Sequence, residues 1–282
     1  MSAPAEWQTE LVEVADGVFA YVQATGGFCI SNAGFIVGED DVVIVDSLFT
    51  RSMNREFQAQ MRRVTAKPAR CLINTHHHVD HTLGNALFPE SRVIAHQRAR
   101  VEQELTGVPE VLAKLLPHWA ADFQDLPVRL ADVTFEGALE FHLGTRRVQV
   151  ISFPPGHSAG DLVVYLPREW VLFAGDLAFF RVTPVTFDGY VSGWIRSLDR
   201  LAKMDVDTVV PGHGPVGAFP DLLSVRGYLT LLRRQARRAH ARGLSAEEAA
   251  QNLRLGEYAD WNEPERAAFN IRRLYMEFDG EI

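Results

Sequence analysis

Four of the ten histidines in this 282-residue chain fall within six positions, in N-T-H-H-H-V-D-H-T-L-G-N, residues 74–85. Imidazole nitrogens from His76, His78 and His81 and a carboxylate from Asp80 stand there at a spacing that can hold metal ions. In an extended chain, residues i and i+2 face the same side. His76 and His78 then point at one ion while His77 points away. Asp80 and His81, at the turn into the next segment, face a second position nearby. The donors suit Zn²⁺, and also iron or manganese. The plainer alternative is a polar, histidine-rich turn without metal, and such a turn has no need of this spacing.

One short segment cannot complete two coordination spheres. Three further candidates are found beside apolar, strand-like runs, each next to glycine, which permits tight backbone near a site. F-P-P-G-H-S-A-G-D places His157 after Arg147–Phe153, and V-L-F-A-G-D places Asp176 after Trp170–Phe173. V-V-P-G-H-G-P places His213 after Asp207–Val210. Any one of them alone reads equally well as a capped or solvated polar residue. Together, downstream of the cluster, they reinforce one another.

The elements that must position these residues are legible in outline. Gly17–Gln23 and Phe28–Val37 are rich in β-formers, and D-V-V-I-V-D, Asp41–Asp46, follows the turn-like G-E-D-D. A helix is expected over Ser52–Thr65, then a strand, Arg70–Asn74, that ends in the cluster, then Arg92–Ala95. Helical segments follow at Arg98–Thr106 and Pro109–Phe123. Strand signals return at Val133–Phe141, Arg147–Phe153, Asp161–Leu166 and Trp170–Phe173, with P-R-E at 167–169 as a turn. Gly193–Met204 reads as a helix, Asp207–Val210 as a strand, and the chain is helical from Asp221 onward. This mixture predicts two sheets in the core with helices outside.

Composition excludes several classes. The chain is 47% apolar and 23% charged, ordinary for a soluble globular protein with a substantial core. A net charge of -8 argues against a nucleic-acid surface. No apolar run reaches the length of a membrane span. The start, Met1-Ser-Ala-Pro-Ala-Glu, has neither a basic region nor an apolar run, so no secretory signal and a cytoplasmic location are expected. Cys29 and Cys71 lie in apolar, strand-like stretches and read as buried free thiols of a reducing compartment.

T-H-H-H-V-D-H, G-H-S-A-G-D, F-A-G-D and P-G-H-G-P resemble, in order, the metal motifs of the metallo-β-lactamase superfamily. The resemblance runs over nearly the whole chain, most strongly from 76 to 213. It implies an α+β fold: a four-layer αββα sandwich of two mixed sheets flanked by helices, with the metals at one edge of both sheets. A single domain over 1–282 is expected, with a helical C-terminal segment at 221–282. Carried over residue by residue, His76, His78 and His157 resemble the ligands of a first metal, and Asp80, His81 and His213 those of a second. Asp176 resembles the bridging carboxylate, and His77 stands where the family usually has no ligand. With all seven positions filled, two zinc ions are implied, with iron or manganese as alternatives. The usual reaction of the family is hydrolysis by a hydroxide shared between the metals. Asp80 would orient that nucleophile and pass its proton to the leaving group. Asp46, ending D-V-V-I-V-D, is a candidate partner for the second ring nitrogen of a ligand histidine; a hairpin-end carboxylate is an equal reading.

Substrate is less legible. Lactamases of this superfamily generally lack the bridging aspartate, so the presence of Asp176 argues away from them. Members that keep it mostly cleave thioesters, lactones, esters or nucleic-acid phosphodiesters, and the acidity of this chain disfavours the last. The segment 178–194 follows Asp176 and carries Phe179, Phe180, Phe187, Tyr190 and Trp194. The insertion Val108–Val128 carries His118, Trp119 and Phe123, and Phe28 lies on the hairpin that overhangs the site in this family. These aromatics are candidate pocket walls; packing loops onto the body is the alternative for each. Tyr190 is a candidate hydrogen-bond donor to a carbonyl or oxyanion, as a tyrosine is in some lactonase relatives. The expected activity is metal-dependent hydrolysis of a small or medium, largely apolar ester, thioester or lactone. The alternatives are a mononuclear iron oxidoreductase like the persulfide dioxygenases, and β-lactam hydrolysis as a main or side activity. The expected partner is a small-molecule substrate, with no nucleic acid and no membrane; a homo-oligomer stays open. The basic run 233–242 reads as the solvated face of an amphipathic helix, the alternative being contact with an anionic carrier such as glutathione or phosphopantetheine.

Overall fold

Alternation of side chains along the strands sorts the chain into layers. The computed structural model describes residues 6–105 and 109–282. The first five residues, Thr106 and Val108, all of which bear on expectations above, lie outside the described residues. The first sheet has the order β1 (Glu10–Ala15), β2 (Val18–Val22), β3 (Ala33–Val37), β4 (Val42–Val45), β5 (Ala69–Ile73), β6 (Arg92–His96), β7 (Val133–Phe135). The second has the order β13 (Gly217–Ala218), β12 (Thr208–His213), β11 (Val171–Phe179), β10 (Leu162–Leu166), β9 (Arg146–Ser152), β8 (Ala138–Leu143). Both mix parallel and antiparallel neighbours.

Along β2, Val18, Ala20 and Val22 face the second sheet, where they meet Val148, Val164 and Phe173. Phe19 and Tyr21 face the other way and pack with Phe57 and Met61 of helix α1 (Arg51–Val64). The second sheet repeats the pattern: Leu162 and Val164 of β10 turn inward, while Val163 and Tyr165 turn to an outer helical layer. That layer contains α6 (Val191–Leu201), α7 (Phe219–His240), α8 (Ala246–Gln251) and α9 (Ala267–Asp279), through Trp194, Leu198, Tyr228, Leu229, Ala249 and Leu274, while α3 (Gln97–Leu105), α4 (Pro109–Leu115) and α5 (Ala120–Phe123) lie between β6 and β7 in the chain. Because both faces of the central strands are covered, they read as continuous apolar runs. The outcome is the expected four-layer αββα sandwich. Thr50 starts α1 by accepting the Met53 amide on its hydroxyl. On α7, Leu229, Leu232 and Ala236 are buried while Arg234, Arg237 and Arg238 are exposed, so the basic run is a solvated helix face. No helix among the described residues is long and apolar enough to cross a membrane.

Several boundaries differ from the sequence reading. The strand expected from Phe28 begins at Ala33; Thr25, Gly26 and Cys29 all take positive φ, which breaks extended backbone. The run Val133–Phe141 is two strands. Gly137, at φ 87°, turns the chain so that β7 closes one sheet and β8 opens the other. β1 and β13 were not anticipated, the first because acidic residues interrupt its apolar pattern on an edge, the second because it is two residues long. Asp176 lies within β11, not after it. Both cysteines are free, but Cys29 sits in a loop and Cys71 is only half-buried.

The two sheets pack tightly at Gly34, where an added Cβ would overlap the Phe173 ring and the Phe19 carbonyl oxygen. Gly34→Ala is expected to destabilise the fold by about 1–3 kcal/mol through overpacking, read as a lower urea midpoint at unchanged slope.

Candidate metal centre

The candidate ligands arrive on one edge of the sandwich, from strand ends in both sheets. Asp46 follows β4, the histidine cluster follows β5, His157 follows β9, and His213 ends β12. Asp80 and His81 sit on a one-turn helix, α2 (Val79–Thr82). Asp176 gets there by a bulge in β11, where the pairing to β12 shifts at Gly175. Gly175 takes φ +51° and packs on the Thr75 side chain; Gly212 packs so closely on Asp176 that a Cβ there would overlap the carboxylate.

The candidate ligands form two groups within each of which the donor atoms all lie within 4.8 Å of one another: His76, His78, His157 and Asp176, and then Asp80, His81 and His213; His77, His78 and Asp188 make a third such group. In the first, His78 Nδ1 stands 3.0 Å from His76 Nε2 and 2.9 Å from His157 Nε2. Tetrahedral coordination with bonds of about 2.0–2.1 Å sets donors about 3.3 Å apart, close to this spacing. In the second, Asp80 Oδ2 is 3.3 Å from His213 Nε2 and 3.8 Å from His81 Nε2. Asp176 stands between, with Oδ2 at 3.1 Å from His157 Nε2 and Oδ1 at 3.1 Å from His81 Nε2.

The donor set fits metal ions. His81 Nε2 and Asp176 Oδ1 are buried, face each other and make no hydrogen bond. Buried polar atoms without partners are costly unless something else satisfies them, and a cation shared by imidazoles and carboxylates would do so. Nitrogen and oxygen donors of this kind suit zinc, iron or manganese alike.

Ring orientation is set from behind. His213 Nδ1 is 3.1 Å from the Gly26 carbonyl oxygen and 3.0 Å from that of Ile30, so it donates and leaves Nε2 bare. His81 Nδ1 donates to Asp46 Oδ2 at 3.0 Å. Thr75 donates its hydroxyl to the same oxygen at 2.8 Å and its amide to Asp46 Oδ1 at 2.7 Å. The Thr75 hydroxyl oxygen then accepts from His76 Nδ1 at 3.1 Å. Asp46 therefore reaches a histidine in each group. Burial pushes its carboxyl up, and the His81 ring and Thr75 only partly offset that. For Asp176, burial acts upward too, but the rings of His213, His81, His157 and His76 outweigh it and hold the carboxyl well below the usual range. Burial likewise opposes ionisation of Asp80, yet His81 and His213 bring it to about 2.

A cavity of about 290 Å³ opens onto these donors. Phe28, Val79, Phe179, Val185 and Phe187 supply its apolar wall, with Cys29, His77, Asp188 and Arg266 also facing it. Of the aromatic wall candidates, Phe28, Phe179 and Phe187 are placed at the cavity and the others lie elsewhere. Trp194 is fully buried, donates its indole N–H to the Leu177 carbonyl at 3.0 Å, and packs edge-on against the His157 ring. Phe180 is buried in the core beneath the sheet, its amide on the His213 carbonyl at 3.0 Å. Trp119 and Phe123 pack against Phe49 in a separate apolar cluster, with the His118 ring against Trp119. Tyr190 precedes α6 with Arg273 over its ring and does not line the cavity, so nothing in the structure brings its hydroxyl to an oxyanion. Aromatics thus brace the site as well as line it: Phe179 stacks on His213 with ring centres 4.8 Å apart.

Four relevant side chains escaped the sequence reading. Thr75 precedes the cluster, and Asp161 stands in the quoted G-H-S-A-G-D, where it accepts the amide and hydroxyl of Ser158 and holds the His157 loop. Its carboxyl is pushed up to about 7 by burial. Asp188 and Arg266 carry no local signal, since only tertiary structure brings them to the cavity.

The family model of the metallo-beta-lactamase superfamily matches residues 26–213. The chain is 28% identical over 186 residues to the 2,4-dinitroanisole O-demethylase subunit alpha of Nocardioides sp. (strain JS1661), covering 63% of this chain and 51% of that protein. It is 30% identical over 139 residues to a hydroxyacylglutathione hydrolase of Brucella ovis, covering 49% and 45%. The chain spans about half the length of these curated relatives. A solved metallo-beta-lactamase from Pontibacter korlensis superposes with a TM-score of 0.62 at 21% identity, covering 79% of this chain and 99% of that one, which is a likeness of fold.

In Asp46→Asn the amide NH₂ would oppose the His81 Nδ1–H and favour the tautomer that protonates Nε2. Metal affinity, measured by competition with a chromophoric chelator, is expected to fall about 10- to 100-fold with the fold retained by circular dichroism.

Proposed function

The chain belongs to the metallo-beta-lactamase superfamily, and from that membership we propose that it is a dinuclear, zinc-type metallohydrolase of small or medium, largely apolar esters, thioesters or lactones. The observation that carries the reading is the apolar cavity that ends directly on the two groups of donors. His76, His78 and His157 would hold one ion, Asp80, His81 and His213 the other, with Asp176 between them. Such a pair supplies, when bound, a water activated at neutral pH and polarisation of the scissile carbonyl.

The side chains of the protein do the rest. Asp80 lines the cavity and is ionised at neutral pH, so its carboxylate can accept a hydrogen bond from the attacking water and orient it. Phe28, Val79, Val185 and Phe187 would seat the acyl or alkyl part of the substrate and exclude bulk water. Arg266 is the one arginine or lysine among the described residues of the wall, and it is already paired with Glu263 and donates to the Thr183 carbonyl. A lining without a spare cation favours a neutral substrate over an anionic one. The hydroxyacylglutathione hydrolases among the relatives support the thioester end of the range.

The test is a panel of p-nitrophenyl esters, acyl thioesters, lactones and nitrocefin, with protein loaded with Zn²⁺, Mn²⁺ or Fe²⁺. We expect turnover of at least one carbonyl ester class, favouring neutral acyl groups, lost on chelation and restored by metal. Metal content under half an equivalent after loading, or full loading without turnover of any ester, thioester or lactone, would overturn the reading.

A further inference from the structure

Each candidate ligand histidine but one has its second ring nitrogen directed into the body of the protein. His78 is the exception. It is also the most exposed of the set, at 19% of its side chain, and the one whose converging atom in the first group is Nδ1. Its Nε2 points toward the cavity, where water would compete for it.

There it meets Asp188. One carboxylate oxygen, Oδ1, lies 3.1 Å from His78 Nε2, and the other, Oδ2, lies 3.0 Å from His77 Nε2. Both ring nitrogens must carry hydrogen to satisfy one ionised carboxylate. That choice leaves His78 Nδ1 bare and facing His76 and His157. It also gives the buried His77 a role, since its ring is pinned by the same carboxylate and cannot swing into the donor cluster.

The backbone around Asp188 is held from two directions. On one side, the Tyr190 amide donates to the Gly156 carbonyl at 2.6 Å, and Gly189 packs on the carbonyls of Gly156 and His157. On the other, Arg273 of α9 donates to the Gly189 carbonyl at 3.0 Å. The loop that presents the carboxylate to His78 is thus fastened to the loop that carries His157. Two donors of one group are registered against each other through it.

We propose that Asp188 is a positioning residue of the metal centre: it fixes the tautomer and ring angle of His78 from the cavity side and restrains His77. The inference rests on the reading that His76, His78 and His157 hold a metal ion. A carboxylate on the far nitrogen of a ligand histidine orients the ring and raises its basicity, and its loss typically costs 10- to 100-fold in metal affinity.

The experiment compares wild type with Asp188→Asn and Asp188→Ala by three readouts. The first is ¹⁵N NMR of the histidine rings in metal-free protein, where wild type should show His78 protonated at Nε2 and Asp188→Ala should show mixed tautomers. The second is Zn²⁺ affinity by chelator competition, expected about 10- to 100-fold weaker in both variants. The third is the visible spectrum of the Co²⁺-loaded protein, expected to shift in both. Circular dichroism and thermal melting establish that the variants fold. If wild type binds no metal, the proposed function fails. If wild type binds metal and folded variants keep its His78 tautomer, affinity and Co²⁺ spectrum, the role of Asp188 fails. Loss of a third equivalent of metal in the variants would also overturn it, making Asp188 a ligand with His77 and His78.

Discussion

Asp46 is the side chain on which the rest of the site depends. It is buried between the sheets' edge and the histidine cluster, at a positive φ of 59° that few residues other than glycine adopt. From there one carboxylate takes the amide and hydroxyl of Thr75 and the ring N–H of His81. Through the Thr75 hydroxyl it reaches His76 as well. A strained, desolvated acid is unfavourable by itself, and here the hydrogen bonds from Thr75 and His81 offset that cost while tying the two donor groups to one anchor.

Around that anchor the donors can meet only because backbone is kept out of the way. Gly212 leaves room for the Asp176 carboxylate, and Gly175 turns the bulge that aims it. The segment between β2 and β3 closes the arrangement from the other sheet. It offers the Gly26 and Ile30 carbonyls to His213, while Asn32 donates to the Pro211 and Gly214 carbonyls at 2.9 and 2.8 Å. Since the segment also carries Phe28, the lip of the cavity and the tautomer of His213 are set by the same few residues. Glu263, on a left-handed backbone near the C-terminal helices, accepts the Phe28 amide and pairs with Arg266. The helical C-terminal region therefore takes part in shaping the cavity.

Aromatic residues near the candidate metal centre divide by depth. Phe28 and Phe187 are half-exposed at the mouth, while Trp194 is sealed beneath His157. Phe179 does both, lining the cavity and stacking on His213. Rings that brace imidazoles hold them without offering competing donors to a metal, which suits a site where ligand angles matter.

How much was legible in the sequence follows from the range of each interaction. The histidine cluster, G-H-S-A-G-D, F-A-G-D and P-G-H-G-P are local, so the seven donor candidates were readable from residue type and neighbouring glycine, two core sheets with helices outside from strand periodicity, and the αββα order from the family resemblance. Asp46 was readable as a strand-end carboxylate, though not its link through Thr75. The register of β7 and β8 was not, because an apolar run carries no mark of which sheet receives it until Gly137 turns the chain. Nor could the aromatics be sorted into wall and brace, since burial of Trp194 depends on helices packed from far along the chain. Asp188 and Arg266 became part of the site only when the loop after β11 and the C-terminal helices closed over it. Short-range spacing determined which atoms can hold metal; long-range packing decided what surrounds them, because a side chain's orientation is set by neighbours that the local sequence does not contain.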